Sequence, residues 1–569
     1  MSHGHVHYDN PEDAKVTYFA ATNNRGKKEL FGIRSIDRGK HMYVIGKTGM
    51  GKSTMLENMA IQDIQNGEGI FFIDPHGSTA EKLLDFIPHD RLKDVVYFAP
   101  FDTDFPMGFN VMEDVGYDKR HLVVSGLLGA FKRIWVDMWS ARMEYILQNT
   151  LLALLEFPDA TLLDVNRMLS NKMFRKAVVD RVTDPIVKTF WVEEFATYTD
   201  RYTQEATPAI QNKVGQFTAN PLVRNIIGQP KSTFDLREMM DNKKIFIANL
   251  SKGRMGETNA ALLGSMLTVK VYLSAMSRAD EPAVRMAKLP RCYFYVDEFQ
   301  SMMNEAFADI LSESRKYKLA LTLANQYIEQ MEENVRNAVF GNVGTMVVFR
   351  VGPFDAEVLK TVFEPTFLAE DMVSLGVGDI YLTLMIDGAS SHPFSATTIA
   401  PIESPPISYR HDVVEHSRKA YCRPRAEMEA FIQKRQDDFA PPQKQPQQQK
   451  KQEHRQEQRK PDGHRVEVKQ IKHESPLPEE ARGGLRAALE TVLGAAPVSA
   501  ERAVPSEHEL EKLSPIDILR ARKAAKESRQ NISQEPPHSK EDESPPTEVR
   551  TDEVSSDTLR RILYGSQTK

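Results

Sequence analysis

The chain has 569 residues, which is too many for a single hydrophobic core and predicts two or three folded units. Its formal net charge is −6, so no overall positive field favours a polyanion, and any surface that binds nucleic acid has to be local. The two cysteines, Cys292 and Cys422, have no metal-ligand spacing and suit a reducing, cytoplasmic compartment.

We expect no membrane-spanning segment. The N-terminus lacks a basic region followed by an apolar stretch, which argues against a signal peptide. The apolar runs at residues 123–131 and 146–157 are short or interrupted by polar residues, whereas a membrane helix needs about 20 apolar residues.

In chain order, the first recognisable motif is a glycine-rich turn between a strand and a helix. It follows an N-terminal segment, residues 1–30, that itself contains a strand. An apolar strand at residues 41–45 leads into the turn, and a helical pattern follows at residues 55–65. The turn matches the phosphate-binding pattern G-x-x-x-x-G-K-[ST] at Gly46, Gly51, Lys52 and Ser53.

This turn predicts a nucleotide site. The glycines allow backbone N–H groups to surround a phosphate, and the following helix directs its positive end to the same place. Lys52 can reach the β- and γ-phosphates, and the Ser53 hydroxyl can bind Mg²⁺. A turn that binds nothing is the alternative. We expect ATP and Mg²⁺ here, with the nucleotide held by Gly46, Lys47, Thr48, Gly49, Met50, Gly51, Lys52, Ser53 and Thr54.

Strands and helices then alternate, which predicts an α/β fold with a mainly parallel sheet. Continuous apolar runs at residues 69–73 and 95–98 are typical of strands buried on both faces. From residue 113 to 235 the apolar residues recur at helical spacing, and all three tryptophans lie there, which predicts an all-helical inserted domain. Alternation resumes at residues 244–250.

A strand at residues 291–296 ends in two adjacent carboxylates. Asp297 is placed to hold Mg²⁺, and Glu298 is placed to polarise the attacking water, as hydrolysis requires. The alternative is an aspartate that caps the next helix. In a chain that also has a phosphate loop, the pair favours a nucleotide hydrolase over a protein that only stores nucleotide.

Three further side chains are candidates for catalysis. Gln326 follows the next strand and, in a parallel sheet, lies in the same crevice, where its amide can sense a γ-phosphate or simply cap the following helix. Arg315 ends the helix after Glu298, where a guanidinium can stabilise charge in a neighbouring subunit's site or merely end a helix. Arg350, which ends the following strand, is the second candidate for that role.

Together these segments resemble the type IV secretion coupling protein family, the TraG/TraD group within the FtsK–HerA class of P-loop motor ATPases. The resemblance extends over about residues 31–401 and depends on residues 41–54, 74–77, 97–110, 297–300 and 315–326. It implies a RecA-like core in a hexameric ring that moves DNA, or hands DNA and protein to a secretion channel. It also implies hydrolytic roles for Lys52, Ser53, Asp297, Glu298 and Gln326, with Arg315 as an arginine finger. Family members usually begin with transmembrane helices, and this chain departs from that pattern.

The C-terminal part has a different composition. Pro, Gln, Glu, Lys and Arg dominate residues 440–569, which predicts disorder. Short helical patterns there are either partner-docking segments or accidental. The predicted organisation is an N-terminal segment, a P-loop ATPase domain in two parts, the helical insertion, a C-terminal extension and the tail, at residues 1–30, 31–112 with 236–405, 113–235, 406–439 and 440–569.

We therefore expect an ATP-driven DNA translocase that acts in the cytoplasm and is recruited to the inner face of the membrane. The loop at residues 251–256, with Lys252 and Arg254, is the candidate DNA contact. The tail is expected to bind a secretion, relaxase-type or nuclease partner. The alternatives are a HerA-type translocase that works with a nuclease, and an assembly or protein-substrate ATPase of a secretion or pilus system.

Overall fold

A computed structural model describes residues 11–23, 28–113, 115–303 and 306–438. The tail predicted at residues 440–569, with its short helices, lies outside the described residues. Thirteen strands are present in the described ranges: β1 Val16–Thr22, β2 Leu30–Arg34, β3 Met42–Ile45, β4 Gly69–Asp74, β5 Val95–Phe98, β6 Ile245–Asn249, β7 Cys292–Val296, β8 Leu319–Asn325, β9 Thr345–Val348, β10 Asp379–Thr383, β11 Met385–Ile386, β12 Ala389–Ser390 and β13 Phe394–Thr398.

The α-helices divide into four groups along the chain. Three lie near the first strands: α1 Ser35–Arg38, α2 Lys52–Gln65 and α3 Ser78–Leu83. Seven lie at residues 120–227, in the helical segment that follows β5: α4 Arg120–Ile134, α5 Ala141–Leu155, α6 Leu163–Ser170, α7 Lys172–Val179, α8 Pro185–Thr189, α9 Asp200–Ala219 and α10 Pro221–Ile227. Eight accompany the later strands: α11 Leu236–Asp241, α12 Lys252–Met255, α13 Glu257–Met276, α14 Ala283–Lys288, α15 Ala306–Glu313, α16 Glu333–Asn342, α17 Pro353–Phe363 and α18 Ala369–Val373. Two follow the sheet: α19 Arg410–Tyr421 and α20 Arg425–Asp437.

One large mixed sheet organises the fold, in the strand order β2-β1-β13-β10-β9-β3-β8-β7-β4-β6-β5. The strands from β9 to β5 in this order are parallel, and β10, β13, β1 and β2 pair antiparallel at the other side. The prediction of an α/β fold with a mainly parallel sheet is confirmed. The parallel strands all present their carboxyl ends at the same edge, where ligands bind in open α/β sheets.

Helices cover both faces of the parallel strands, as the continuous apolar runs require. In β4, Phe71 and Ile73 belong to one hydrophobic cluster, whereas Ile70 and Phe72 belong to the other. Because successive side chains of a strand point to opposite faces, these strands have no solvated face on which polar residues would alternate.

The helical segment between β5 and β6 packs onto one of these faces. Its helix α4 runs so close to α13 that a Cβ on Gly126 would lie 2.5 Å from a methyl carbon of Val269. Side chains of α4 and α5 share one continuous hydrophobic cluster with the sheet. The helix α4 therefore packs in the same hydrophobic core as the parallel strands.

The helix α13 corrects one part of the sequence analysis. The segment Glu257–Asp280 is long and apolar enough to cross a membrane by length and composition, which the search for apolar runs overlooked. However, 72% of its most apolar window is buried inside the described fold. Its apolar residues are accounted for by packing against α4 and the sheet.

The C-terminal extension, residues 406–438, lies beside β5, the outermost of the parallel strands. Helix α19 packs beside the edge strand β5, and the backbone N–H of Tyr97 donates to the Ser417 hydroxyl at 3.0 Å. Helix α20 then packs against α10 of the helical segment. The extension thereby covers an edge strand that otherwise has unpaired backbone groups.

Candidate nucleotide-binding site

The glycine-rich turn joins β3 to α2 at the carboxyl edge of the sheet. Gly51 has φ = +115°, a conformation that side chains with a Cβ rarely adopt. A Cβ on Gly46 would lie 2.5 Å from the Cβ of Phe349, so this close approach also requires glycine. The N–H of Lys47 donates to the carbonyl of Arg350 at 2.8 Å, which holds the turn against the end of β9.

Lys52 is the first residue of α2 and is almost completely buried, at 5% exposure. Its Nζ donates to the carbonyl oxygens of Gly46 at 2.6 Å and Lys47 at 3.2 Å, so the side chain folds back over the turn. Burial lowers the pKa of the Lys52 ammonium, and the nearby charges of Glu298 and Asp297 partly oppose this shift. The ammonium thus lies inside the turn. The oxygens of a bound phosphate would be stronger acceptors for it than these two carbonyls.

Ser53 and Asp297 meet although 244 positions separate them in sequence. The Ser53 hydroxyl donates to Oδ2 of Asp297 at 2.8 Å. Burial raises the pKa of the Asp297 carboxyl, with contributions from Asp74 and Glu298, whereas the hydrogen bond from Ser53 lowers it. A hydroxyl and a carboxylate fit Mg²⁺, which usually binds through one or two carboxylates together with substrate phosphates.

Glu298 lies directly after Asp297 in an unusual backbone conformation, with φ = +46°. Its N–H donates to Oδ1 of Asp297 at 2.9 Å, and its side chain is buried at 6% exposure. The Nε2 of Gln326 donates to one carboxylate oxygen of Glu298 at 2.6 Å. The Oε1 of the same amide accepts from the Thr48 hydroxyl at 3.0 Å, so Gln326 connects the phosphate loop to Glu298.

The strand order explains why Gln326 lies between the phosphate loop and Glu298. β8 lies between β3 and β7, and its carboxyl end is followed by Gln326. The phosphate loop follows β3 and the carboxylate pair follows β7, so the amide is interposed between the two. The structure therefore brings together Lys52, Ser53, Asp297, Glu298 and Gln326 at one edge of the sheet.

The two candidate arginines lie at opposite edges. Arg315 precedes β8, a strand of seven residues, so at about 3.3 Å per residue it lies roughly 23 Å from the edge where Gln326 is found. Its side chain is exposed. Arg350 is half-buried beside the phosphate loop of its own chain, with Nε 3.2 Å from the Met50 sulfur. Arg315 is thus exposed at the edge opposite the phosphate loop of its own chain, whereas Arg350 lies beside that loop.

The predicted DNA-contacting loop is largely the short helix α12, which follows β6. Arg254 forms an ion pair with Glu81 at 2.9 Å and stacks over the ring of Phe101. Lys252 lies 3.6 Å from the carboxylate of Glu257. Both cations are therefore partly neutralised within the fold, although Arg254 keeps 51% of its side chain exposed.

Sequence reasoning gave no role to one residue of this site, although it belongs to the motif at residues 297–300. Gln300 donates from Nε2 to the second carboxylate oxygen of Glu298 at 2.5 Å. It belongs to a single 3₁₀ turn at Phe299–Ser301, which periodicity does not reveal. The only signal in the sequence is an amide residue two positions after the carboxylate pair.

Comparison with known proteins gives a consistent result. The sequence model for the DNA-binding domain of type IV secretion-system coupling proteins matches residues 33–362, more than half of the chain. Among solved structures, the bacterial conjugative coupling protein TrwBdeltaN70 has 14% identity and a TM-score of 0.50, and the match covers 70% of this chain and 90% of that one.

Two other solved structures are similar at slightly lower scores. TrwB in complex with a non-hydrolysable GTP analogue has 16% identity and a TM-score of 0.49, over 70% of this chain and 91% of that one. VirB4 of Thermoanaerobacter pseudethanolicus has 12% identity and a TM-score of 0.47, over 69% and 97%. No curated protein matches the chain significantly. At these identities the structural likeness describes the fold alone.

Proposed function

Because the chain belongs to the family of type IV secretion-system coupling proteins, we propose that it is an ATPase that moves DNA in a conjugation or secretion system. The observation that supports hydrolysis is the convergence of the phosphate loop, the Asp297–Glu298 pair and Gln326 at one sheet edge. A protein that only stores nucleotide has no need for a buried carboxylate connected to its phosphate loop, as Glu298 is through Gln326.

Each residue of the site has a distinct proposed role. Lys52 exchanges its carbonyl partners for phosphate oxygens, and Ser53 and Asp297 hold Mg²⁺. When bound, Mg²⁺ neutralises charge on the phosphates. Glu298 accepts a proton from the attacking water, and Gln326 reports the state of the phosphate loop to Glu298 through Thr48.

The position of Arg315 supports action as a ring. An exposed guanidinium at the sheet edge opposite its own phosphate loop can stabilise transition-state charge only in a neighbouring subunit. We propose a hexamer, as in the family, in which Arg315 completes the adjacent site. Arg350 has the wrong position for this role and is better placed to contact nucleotide in its own subunit.

We propose three regions with distinct roles. Residues 31–112 and 236–405 form the ATPase domain, and residues 113–235 form the helical insertion. Residues 406–439 form the extension, whose two helices pack against β5 of the first and α10 of the second. We place the protein in the cytoplasm, with recruitment to the inner face of the membrane by a partner that binds residues 440–569.

The test is the rate of ATP hydrolysis by the full-length protein with and without double- or single-stranded DNA. We expect DNA to stimulate turnover. Glu298→Gln should retain ATP binding but lose turnover by a factor of about 10²–10⁴, the usual contribution of a general base. Lys52→Ala should lose binding or productive positioning of the phosphates.

Two outcomes would contradict the proposal. A Glu298→Gln variant with normal turnover would remove the hydrolytic role of the carboxylate pair. Wild-type turnover that neither form of DNA changes would contradict DNA translocation and favour a protein substrate.

A further inference from the structure

Both carboxylate oxygens of Glu298 are occupied by amide donors. Gln326 donates to Oε1 at 2.6 Å and Gln300 donates to Oε2 at 2.5 Å. Hydrogen bonds to a carboxylate favour its charged form and weaken it as a proton acceptor. In this arrangement the side chain that the proposed function requires as a base is therefore restrained.

The two amides differ in what holds them. The Oε1 of Gln326 accepts from Thr48, so this amide is tied to the phosphate loop. The Oε1 of Gln300 is buried and has no hydrogen-bond partner among the described residues. A buried amide oxygen without a partner costs free energy. The interaction of Gln300 with Glu298 therefore carries the cost of this unpaired oxygen.

The backbone of Gln300 is anchored from the helical segment. A terminal nitrogen of Arg133, near the end of α4, donates to the Gln300 carbonyl at 2.6 Å. The same guanidinium forms an ion pair of 3.5 Å with Glu332, immediately before α16. Arg133 therefore joins the helical segment, the turn after the carboxylate pair and the segment that follows β8. These contacts make the position of Gln300 dependent on the position of α4.

We propose that Gln300 is a positioning residue that restrains Glu298, and that Arg133 makes this restraint respond to the helical segment at residues 113–235. The proposal depends on the function proposed above for Glu298. A ligand that shifts α4 displaces Arg133, the Gln300 turn relaxes, and Glu298 is released toward the substrate. The ligand then regulates turnover through the contact between Arg133 and Gln300, without touching the nucleotide itself.

The experiment compares steady-state ATP hydrolysis by five full-length proteins, with and without DNA: wild type, Gln300→Leu, Arg133→Met, the double variant of these two and the control Gln330→Leu. Leucine preserves the volume of Gln300 and removes its donor. Gln330 is exposed in a different turn, so its substitution should have no effect.

We expect Gln300→Leu to raise turnover without DNA by roughly ten- to a hundredfold, the worth of one hydrogen bond to a charged group. The stimulation by DNA should fall by the same factor. Arg133→Met should act in the same direction, and the double variant should not exceed Gln300→Leu, because both substitutions affect one pathway.

Unchanged or lower turnover of Gln300→Leu without DNA, together with an unchanged stimulation by DNA, would overturn the proposal. The ratio of turnover with DNA to turnover without DNA also serves a variant of reduced stability, because partial unfolding lowers both rates in the same proportion. Glu298→Gln separates the two hypotheses. If it is inactive while Gln300→Leu is unchanged, only the restraint is wrong, whereas an active Glu298→Gln removes the function on which the restraint depends.

Discussion

Acid should destabilise this protein through one buried histidine. His41 immediately precedes β3, the strand that leads to the phosphate loop, and is only 1% exposed. Its Nδ1 accepts from the N–H of Leu321 in β8 at 3.1 Å, so the imidazole is a neutral acceptor. Burial, together with the charge of Arg315, lowers its pKa from the ordinary 6.5 to about 4, although the backbone at Leu311 partly opposes this shift.

The sign and size of the effect follow from this shift. Between pH 6.5 and about 4 the unfolded chain binds a proton at His41 that the folded chain does not, so stability falls as the pH falls through this window. The loss from His41 reaches about 3.4 kcal/mol below the lower pKa, at 1.36 kcal/mol per pKa unit. At pH 5 it amounts to about 2 kcal/mol.

The assay is urea unfolding of wild type and His41→Asn at pH 7.5 and pH 5.0. Asparagine tolerates the positive φ of +63° at this position and retains a side-chain acceptor for the Leu321 N–H. We expect the wild type to lose about 2 kcal/mol more than His41→Asn between the two pH values. Equal losses in the two proteins would refute the reasoning, because all other titrating groups are common to both.

Three further substitutions test other parts of the structure. Asp63→Asn should lower stability by about 3–5 kcal/mol, because it leaves the buried guanidinium of Arg38 without its bidentate partner, and the thermal midpoint should fall accordingly. Arg315→Ala should abolish turnover, and mixing it with inactive Lys52→Ala should restore some activity if the guanidinium acts on a neighbour. Full turnover by a monomeric Arg315→Ala protein would contradict that role. Arg254→Ala should weaken the stimulation by DNA and reduce its dependence on salt, and unchanged stimulation would exclude α12 as a DNA contact.

The sequence was sufficient for the fold class because its strongest signals are local. The apolar run of β4 and the glycine pattern after β3 identify buried parallel strands and a strand–turn–helix unit without tertiary information. The meeting of Ser53 and Asp297 remained a hypothesis at that point, because it depends on which strands are neighbours. Strand order is a long-range property that periodicity does not encode.

The parts that could not be predicted depend on tertiary contacts. The burial of α13 depends on the elements that pack around it. A window of apolar residues alone does not distinguish such a core helix from a membrane span. The position of Gln300 against Glu298 requires a 3₁₀ turn and an arginine from a distant helix. Arg315 and Arg350 are equivalent as strand-associated cations until the direction of each strand relative to the phosphate loop is known.

The central claim is that a triphosphate held by the loop after β3 is hydrolysed by the carboxylates after β7. The most direct measurement is the structure of the Glu298→Gln protein with Mg²⁺ and ATP. We predict that Lys52 Nζ leaves the Gly46 carbonyl for the γ-phosphate, and that Ser53 and Asp297 face the metal ion. A triphosphate bound elsewhere, with the hydrogen bond from Lys52 to Gly46 intact, would contradict the account.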